Sequence, residues 1–265
     1  MVNFVPIQTT MRNPDRQTTF RFRQFEVSNK LSAMKIGTDA VLLGAWAFEA
    51  SGFGARSDLR ALDIGCGTGV LSLMLAQRFA QWFTGLSVLG IDIDADAATE
   101  ASANFSRSPW AARLEAFQVD FRSFAVSCEA ATYDMFISNP PFFTGGAEAP
   151  DDARRIARHQ ESLGLHDLLV GAARLLAPEG VLAGVLPADK ADEARTEARF
   201  ARLELTRECI VGTTPRKPPR RILMEFRHSG IATATQRENL LIHTPEGSFS
   251  DRYSRLVEPF YLPKA

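Results

Sequence analysis

Short apolar runs alternate with segments of helical periodicity over residues 59–226. Short apolar runs are typical of buried strands, whereas apolar residues three and four positions apart indicate helices. The predicted strands are Leu59–Ile64, Leu86–Ile93, Leu114–Val119, Tyr133–Ser138, Val181–Leu186, Glu208–Val211 and Ile222–Phe226. The predicted helices are Gly69–Phe79, Asp94–Phe105, Leu163–Leu176 (closed by Pro178-Glu179-Gly180) and Ala188–Leu203.

Repeated alternation of strand and helix predicts an α/β, Rossmann-like fold with a seven-stranded, mostly parallel sheet and helices on both faces. No helix separates the last two strands, so they should form an antiparallel hairpin at one edge. We expect a single domain over residues 1–265. Its parts would be a loose segment (1–20), a helical cap (21–58), the Rossmann-like core (59–230) and a C-terminal appendage (231–265), which would hold a strand or loop at Leu240–His243 and a helix near Tyr253–Phe260.

The composition is that of a folded globular protein, and bulk charge indicates no polyanion partner. The 265 residues are 45% hydrophobic and 23% charged, with a formal net charge of -1. Cys66, Cys128 and Cys209 lie far apart without a CxxC pair, so neither a disulfide framework nor a metal site is expected. We find no signal peptide and no apolar run of membrane-spanning length, so we expect a cytoplasmic protein without a membrane partner. The sequence leaves the oligomeric state open, with a monomer slightly favoured.

A glycine-rich turn follows the strand Leu59–Ile64 and opens the next helix. Its glycines Gly65, Gly67 and Gly69 are spaced GxGxG, and Val70 stands where a dinucleotide fingerprint would have its third glycine. Asp63 precedes them, and its carboxylate would repel a pyrophosphate but suits the ammonium of a methionine moiety. A strand-to-helix turn can need glycines for geometry alone. The spacing and the place in the fold favour a cofactor loop at the carboxyl ends of the strands.

Acidic residues also follow the next two strands. Asp92, followed by Ile93, lies where nucleoside-binding α/β proteins place an acid for ribose hydroxyls, while Asp94 is expected to cap the following helix. Asp120 can accept a hydrogen bond from an adenine amino group, and Phe121 can pack on the ring. Helix capping by Asp120 is an equally good interpretation, and Asp92 and Asp94 could both be simple turn residues.

The fourth predicted strand ends in Asn139-Pro140-Pro141-Phe142. The two prolines predict a stiff, extended turn whose carbonyls point outward rather than into a ladder. A planar NH2 group is a poor nucleophile, and acceptors for its hydrogens stabilise the charge that develops on nitrogen during attack. The Asn139 side-chain oxygen and the Pro140 carbonyl can be such acceptors, and Phe142 can stack on a planar substrate. The motif therefore predicts the reaction centre for methylation of a planar NH2 group. The alternative is a strand-ending proline pair followed by core phenylalanines.

These residues resemble the class I S-adenosylmethionine-dependent methyltransferases that act on exocyclic or amide nitrogens. Four further segments are similar to the bacterial tRNA1(Val) adenine-37 N6-methyltransferase family, so the similarity runs from about residue 20 to the C-terminus. They are Phe20–Phe25, Ala33–Trp46, Ser108–Ala111 and Glu258–Leu262. The resemblance implies a tRNA adenine as substrate and S-adenosylmethionine as cofactor.

The resemblance also implies that residues 35–39 pack over the cofactor, with Lys35, Thr38 and Asp39 as contacts. Read from the residues alone, Gly37-Thr38-Asp39 is a helix start with Thr38 or Asp39 as its cap. Related enzymes often have a tyrosine where this chain has Phe142, a change that keeps stacking but removes a phenolic hydrogen bond.

Clusters of cations suggest contacts with RNA phosphates despite the near-zero net charge. The strongest is the proline-rich segment 215–221, and others lie near the N-terminus and after the reaction centre. The predicted RNA-binding residues are Arg21, Arg23, Arg154, Arg155, Arg216, Lys217, Arg220 and Arg221. Any one of these clusters could instead be solvated surface.

Three other functions compete with a tRNA adenine methyltransferase. A methyltransferase for a protein glutamine amide, or for an rRNA base, would use the same planar NH2 chemistry, but the terminal segments favour tRNA. A nicotinamide-dependent oxidoreductase is disfavoured by Val70, which replaces the third fingerprint glycine. An inactive RNA-binding relative is disfavoured by the intact Asn139-Pro140-Pro141.

Overall fold

The computed structural model describes residues 19–32, 36–54, 56–140, 163–231 and 234–263. The strands are β1 (Thr19–Arg21), β2 (Glu26–Ser28), β3 (Arg60–Ile64), β4 (Ser87–Asp92), β5 (Leu114–Gln118), β6 (Tyr133–Ser138), β7 (Leu176–Pro187), β8 (Leu203–Gly212), β9 (Arg221–His228) and β10 (Gln236–Leu241). The helices are α1 (Thr38–Trp46), α2 (Val70–Phe79), α3 (Ala95–Ser106), α4 (Phe121–Ser127), α5 (Leu165–Leu175), α6 (Ala191–Phe200) and α7 (Asp251–Val257). Short 3-10 helices are Ala50–Phe53, Ala111–Arg113 and Ala188–Lys190.

Eight strands form one sheet in the order β10-β8-β9-β7-β6-β3-β4-β5. Within it β9 alone runs against its neighbours, so the predicted mostly parallel sheet is confirmed. The predicted count of seven is wrong, and the β8–β9 hairpin is not at the edge because β10 pairs with β8 outside it. Most residues of β10 are polar, which an edge strand with one bonded neighbour tolerates, so the predicted strand or loop at Leu240–His243 overlaps only the end of β10.

Both faces of the sheet are covered, as predicted for buried parallel strands. Neighbouring residues of β3 show the alternation: Ala61 packs in the core shared with α1 and α2, whereas Leu62 packs in the core shared with α4, α5 and α6.

The predicted turn Pro178-Glu179-Gly180 lies where the pairing of β7 with β6 shifts its register. No helix in the described part of the chain is long and apolar enough to cross a membrane.

An aromatic cluster joins the two ends of the described chain to the core. A β1–β2 hairpin precedes α1, so the segment predicted as a helical cap also contains strands. The Phe22 ring stacks at 4.5 Å on Phe25 and at 6.2 Å on Tyr261, and Phe25 meets Trp110 edge-on at 6.1 Å. Three of the segments that carry the family resemblance, Phe20–Phe25, Ser108–Ala111 and Glu258–Leu262, therefore pack against one another.

Candidate functional site

The glycine turn lies at the carboxyl ends of the parallel strands and has the left-handed backbone that glycine favours. Gly65, Gly67 and Gly69 have φ of 70°, 54° and 77°. A Cβ on Gly69 would lie 2.3 Å from the Phe105 ring, whereas one on Gly65 would meet no described atom within 4 Å. Gly69 thus lets α2 approach α3, and the space over Gly65 lets a ligand lie against the backbone.

Asp63 is a fully buried acid directly before the glycine turn. Its Oδ2 accepts hydrogen bonds from the Ser72 Oγ at 2.7 Å and the Ser72 N–H at 3.1 Å. Its Oδ1 has no hydrogen-bond partner among the described residues. Burial raises the pKa of Asp63 to about 7, the Ser72 bonds lower it, and the charge of Asp92 raises it further. A buried acceptor without a partner needs an explanation, and a cationic ligand group would provide one.

Asp92 ends β4 beside the glycine turn, as the sequence predicted. Its Oδ2 accepts the Gly67 N–H at 2.9 Å, and its Oδ1 accepts the Asp94 N–H at 3.0 Å. Burial raises the pKa of Asp92, while the backbone donors lower it. Asp94 caps α3 by accepting the Asp96 N–H, which confirms its predicted role. Ile93, between the two acids, is 53% exposed at this rim of the sheet.

Asp120 caps α4 by accepting the N–H groups of Arg122 and Ser123, so its capping interpretation is confirmed. The Arg122 guanidinium also binds this carboxylate and holds the pKa of Asp120 below its usual range. Phe121 is buried, and its ring lies against Gly171 and Ala125, between α4 and α5. The ring predicted to pack on adenine therefore packs in the core.

Asn139 follows β6 next to the glycine turn. The sheet register pairs Ser138 with Ile64, and the Ser138 Oγ donates to the Ile64 carbonyl at 2.8 Å. Asn139 and Gly65 therefore leave neighbouring strands at the same level. Asn139 is partly exposed and Pro140 is buried.

The start of α1 reaches the same edge of the sheet. Its N-cap is Gly37, without a side-chain cap bond, so the expected capping by Thr38 or Asp39 is wrong. The helix begins one residue earlier than a Thr38 cap would require. Asp39 instead accepts a 2.6 Å hydrogen bond from the Nε of Arg221 at the start of β9. A predicted cofactor contact and a predicted RNA contact thus form an ion pair.

The other predicted RNA-binding cations have different surroundings. Arg21 pairs with Glu26, and the Nε of Arg23 donates to the Tyr261 carbonyl, so both have intramolecular roles. Arg216, Lys217 and Arg220 are exposed in the loop 213–220, and none has an ion pair with a described residue. Further predicted site residues lie outside the described residues, and their roles stay predictions: Lys35, Pro141, Phe142, Arg154 and Arg155.

The sequence interpretation missed two buried polar residues of α3, Glu100 and Asn104. Both are at most 3% exposed, and they bind the segment Ser28–Ser32 beside the glycine turn. A glutamate and an asparagine four positions apart on the apolar face of a helix were the available signal.

One edge of the sheet thus carries a glycine turn open to a ligand, three acids and Asn139. No group of three or more His, Cys, Asp or Glu within the described ranges is placed to hold a metal. The arrangement suits a ligand with a cationic group and a nucleoside, held next to an amide that can accept hydrogen bonds from an amine.

Comparisons with known proteins point to the same chemistry. The family model for the methyltransferase small domain matches residues 48–208. A tRNA1(Val) (adenine(37)-N6)-methyltransferase from Bacteroides fragilis is 40% identical over 93% of this chain and 98% of that protein. A protein of the same name from Porphyromonas gingivalis is 41% identical over 91% of this chain and 94% of that protein. The crystal structure of a predicted O-methyltransferase from Agrobacterium tumefaciens has a TM-score of 0.64 at 18% identity, covering 84% of this chain and 96% of that chain, and so shares the fold.

Proposed function

Because the chain belongs to the family of tRNA1(Val) (adenine(37)-N6)-methyltransferases, we propose that it transfers a methyl group to N6 of adenine 37 in tRNA1(Val). S-adenosylmethionine is its methyl donor. The observation that carries the proposal is the juxtaposition of Asn139 with the glycine turn, which the Ser138 hydrogen bond to Ile64 fixes. We also expect the enzyme to act in the cytoplasm, where its tRNA substrate is found.

The described residues fit S-adenosylmethionine. The buried Oδ1 of Asp63 suits the ammonium group, and the open backbone at Gly65 admits the methionine moiety. Asp92 suits the ribose hydroxyls, and Asp120 the adenine amino group. When bound, S-adenosylmethionine supplies a methyl group already activated on a positively charged sulfur. The chain therefore has to align the amine and stabilise charge, without a metal or a strong base.

Asn139 would act on the substrate amine. Its side-chain oxygen and the Pro140 carbonyl would accept the two N6 hydrogens, which draws the nitrogen lone pair toward attack and stabilises the positive charge that develops. Bonding of the methyl group to nitrogen would break its bond to sulfur and leave a neutral thioether, and the methylated amine would release one proton to solvent water. The two consecutive prolines in the sequence restrict the backbone of Asn139 and Pro140, which would hold both acceptors in place before the substrate arrives and reduce reorganisation during the reaction.

The loop 213–220 would bind the tRNA backbone. It joins β8 to β9 at the carboxyl edge, the same edge that carries Asn139. The Arg221–Asp39 ion pair ties its end to α1, and the pairing of Arg221 with Pro187 ties it to β7. Arg216, Lys217 and Arg220 are exposed there, which leaves their charges available to phosphates.

Labelled S-adenosylmethionine tests the function directly. Incubation with tRNA from cells lacking this modification should place the label on N6 of adenine 37, as located by nuclease digestion and mass spectrometry. A glutamine-containing release-factor peptide and rRNA are the comparison substrates. Label on the peptide or the rRNA, with none on tRNA, would contradict the proposal.

Salt dependence of tRNA binding tests the loop. Changing Arg216 and Arg220 to Ala should lower the slope of log K against log salt by roughly 1.4 to 1.8, because each phosphate contact releases counterions. The matched control changes Arg199 and Arg202 to Ala, which removes two exposed arginines, one in the last turn of α6 and one just after it, at the opposite edge. Equal slopes in the two double variants would remove the loop from the RNA interface.

A further inference from the structure

A buried carboxylate on α3 holds the segment Ser28–Ser32, which we name the strap. The Oε1 of Glu100 accepts the Lys30 N–H and, at 3.2 Å, the Ser28 Oγ. The Leu31 N–H is shared between both oxygens at 3.2 Å, and the Ser32 N–H donates to Oε2 at 2.8 Å. Three consecutive backbone N–H groups therefore point at one carboxylate, a charge-assisted arrangement that fixes the path of the chain.

Asn104, one turn later on α3, joins the strap to the glycine turn. Its Oδ1 accepts the Ser28 N–H, and its Nδ2 donates to the carbonyls of Ser28 and Thr68, each at 2.9 Å. Thr68 lies between Gly67 and Gly69. A Cβ on Gly67 would lie 3.7 Å from the Ser32 Oγ, so the strap is in van der Waals range of the turn.

We propose that Glu100 and Asn104 are positioning residues that fix the strap against the glycine turn and thereby set the affinity for S-adenosylmethionine. This inference rests on the proposed function. The geometry supports it because the two side chains bind the strap and the turn from the helix that follows Asp92. If the strap is ordered only a fraction of the time, the apparent affinity falls to that fraction of its full value.

Amide hydrogen exchange measures how firmly the strap is held and does not depend on an activity assay. In Glu100→Gln one acceptor oxygen becomes an NH2 group that faces backbone donors, so exchange of the amides of residues 30–32 should become about tenfold faster. The matched control is Asp134→Asn, another buried carboxylate that accepts a backbone N–H, but near the beginning of β6. It should leave strap exchange unchanged. Unchanged exchange in Glu100→Gln would overturn the inference.

Cofactor binding gives the second readout. Glu100→Gln and Asn104→Ala should each raise the Kd and KM for S-adenosylmethionine about tenfold, with kcat at saturation within about twofold, because only the population of the competent strap changes. If Glu100→Gln does not fold, Ser28→Ala removes one bond to Glu100 and should give a smaller shift of the same kind. An unchanged Kd, or an equal rise in Asp134→Asn, would overturn the inference. No binding by the unaltered protein would instead overturn the proposed function.

Discussion

Two buried aspartates lie in the neighbouring strands β6 and β3 but have different surroundings. Asp134 is near the edge of the sheet where the parallel strands begin, and Asp63 is near the carboxyl edge, where they end. Asp134, near the beginning of β6, pairs with Arg56 at 2.6 Å and accepts the Arg60 N–H at 2.8 Å. Among the described residues Asp63, near the end of β3, is bonded only through Oδ2, to Ser72, and has no cationic partner. Burial consequently raises the pKa of Asp63 to about 7.

The difference separates residues that stabilise the fold from residues that suit a ligand. Where the strands begin, the chain supplies its own cation and donor to the buried charge, so that charge is satisfied without a partner molecule. Where they end, the acids Asp63 and Asp92 both have raised pKa values and face the glycine turn. We infer that the acids beside the glycine turn lack a cationic partner, which a cationic cofactor would provide.

The largest effect should come from Asn139→Ala. Loss of an acceptor for the charged amine should lower kcat by about 100-fold or more, while the Kd for S-adenosylmethionine stays within about twofold. Single-turnover methyl transfer and calorimetric binding measure the two quantities. Turnover equal to that of the unaltered protein would remove Asn139 from the reaction centre.

At the other edge, Asp134→Ala should act on stability alone. It leaves the partly buried N–H of Arg60 and the half-exposed Arg56 without their partner, which should lower the free energy of unfolding by about 2 kcal/mol. Urea denaturation measures the loss, and the kcat of the folded fraction should not change. A loss of cofactor affinity in this variant would break the distinction between the edges.

Two glycines with positive φ extend the comparison to the backbone. Gly69→Ala should cost about 2 kcal/mol, because it combines left-handed strain with overlap on the Phe105 ring. Gly230→Ala, after β9 at the opposite edge, should cost only about 1 kcal/mol, since a Cβ there meets no described atom within 4 Å. Thermal unfolding of both variants checks the order, and equal costs would show that Phe105 yields to the added methyl group.

The smallest expected effect is a pH dependence. Since burial raises the pKa of Asp63 to about 7, the unliganded folded state keeps a proton on Asp63 that the unfolded state loses above about pH 4. The free energy of unfolding should therefore fall as pH rises from about 4 to 7. A bound ammonium would favour the ionised form, so the Kd for S-adenosylmethionine should fall about tenfold between pH 6 and 7.5.

Two variants decide whether that pH dependence belongs to Asp63. Asp63→Asn should remove it, and Asp134→Asn should keep it. A pH profile that is the same in Asp63→Asn and in the unaltered protein would assign the titration to another group.

The sequence predicted best what local pattern determines. The apolar runs located the core strands, and the glycine spacing located the turn whose left-handed residues the structure confirms. The role of Asp94 as a cap also followed from neighbouring residues alone. Such features need no knowledge of distant parts of the chain.

Contacts between distant residues could not be predicted in this way. Asp39 and Arg221 are 182 positions apart, and Glu100 binds an amide 70 positions earlier. The sequence predicted Arg23 as a phosphate contact, but its hydrogen bond to the carbonyl of Tyr261, 238 positions later, could not be predicted. In each case the charge was evident in the sequence, but its partner depended on the packed fold.

Mass spectrometry of nucleosides from purified tRNA1(Val) tests the central claim most directly. Cells that lack the gene should have unmethylated adenine at position 37. Re-expression of the unaltered chain should restore N6-methyladenosine, and re-expression of Asn139→Ala at the same protein level should not. N6-methyladenosine at position 37 in the cells without the gene, or full methylation by Asn139→Ala, would contradict the account.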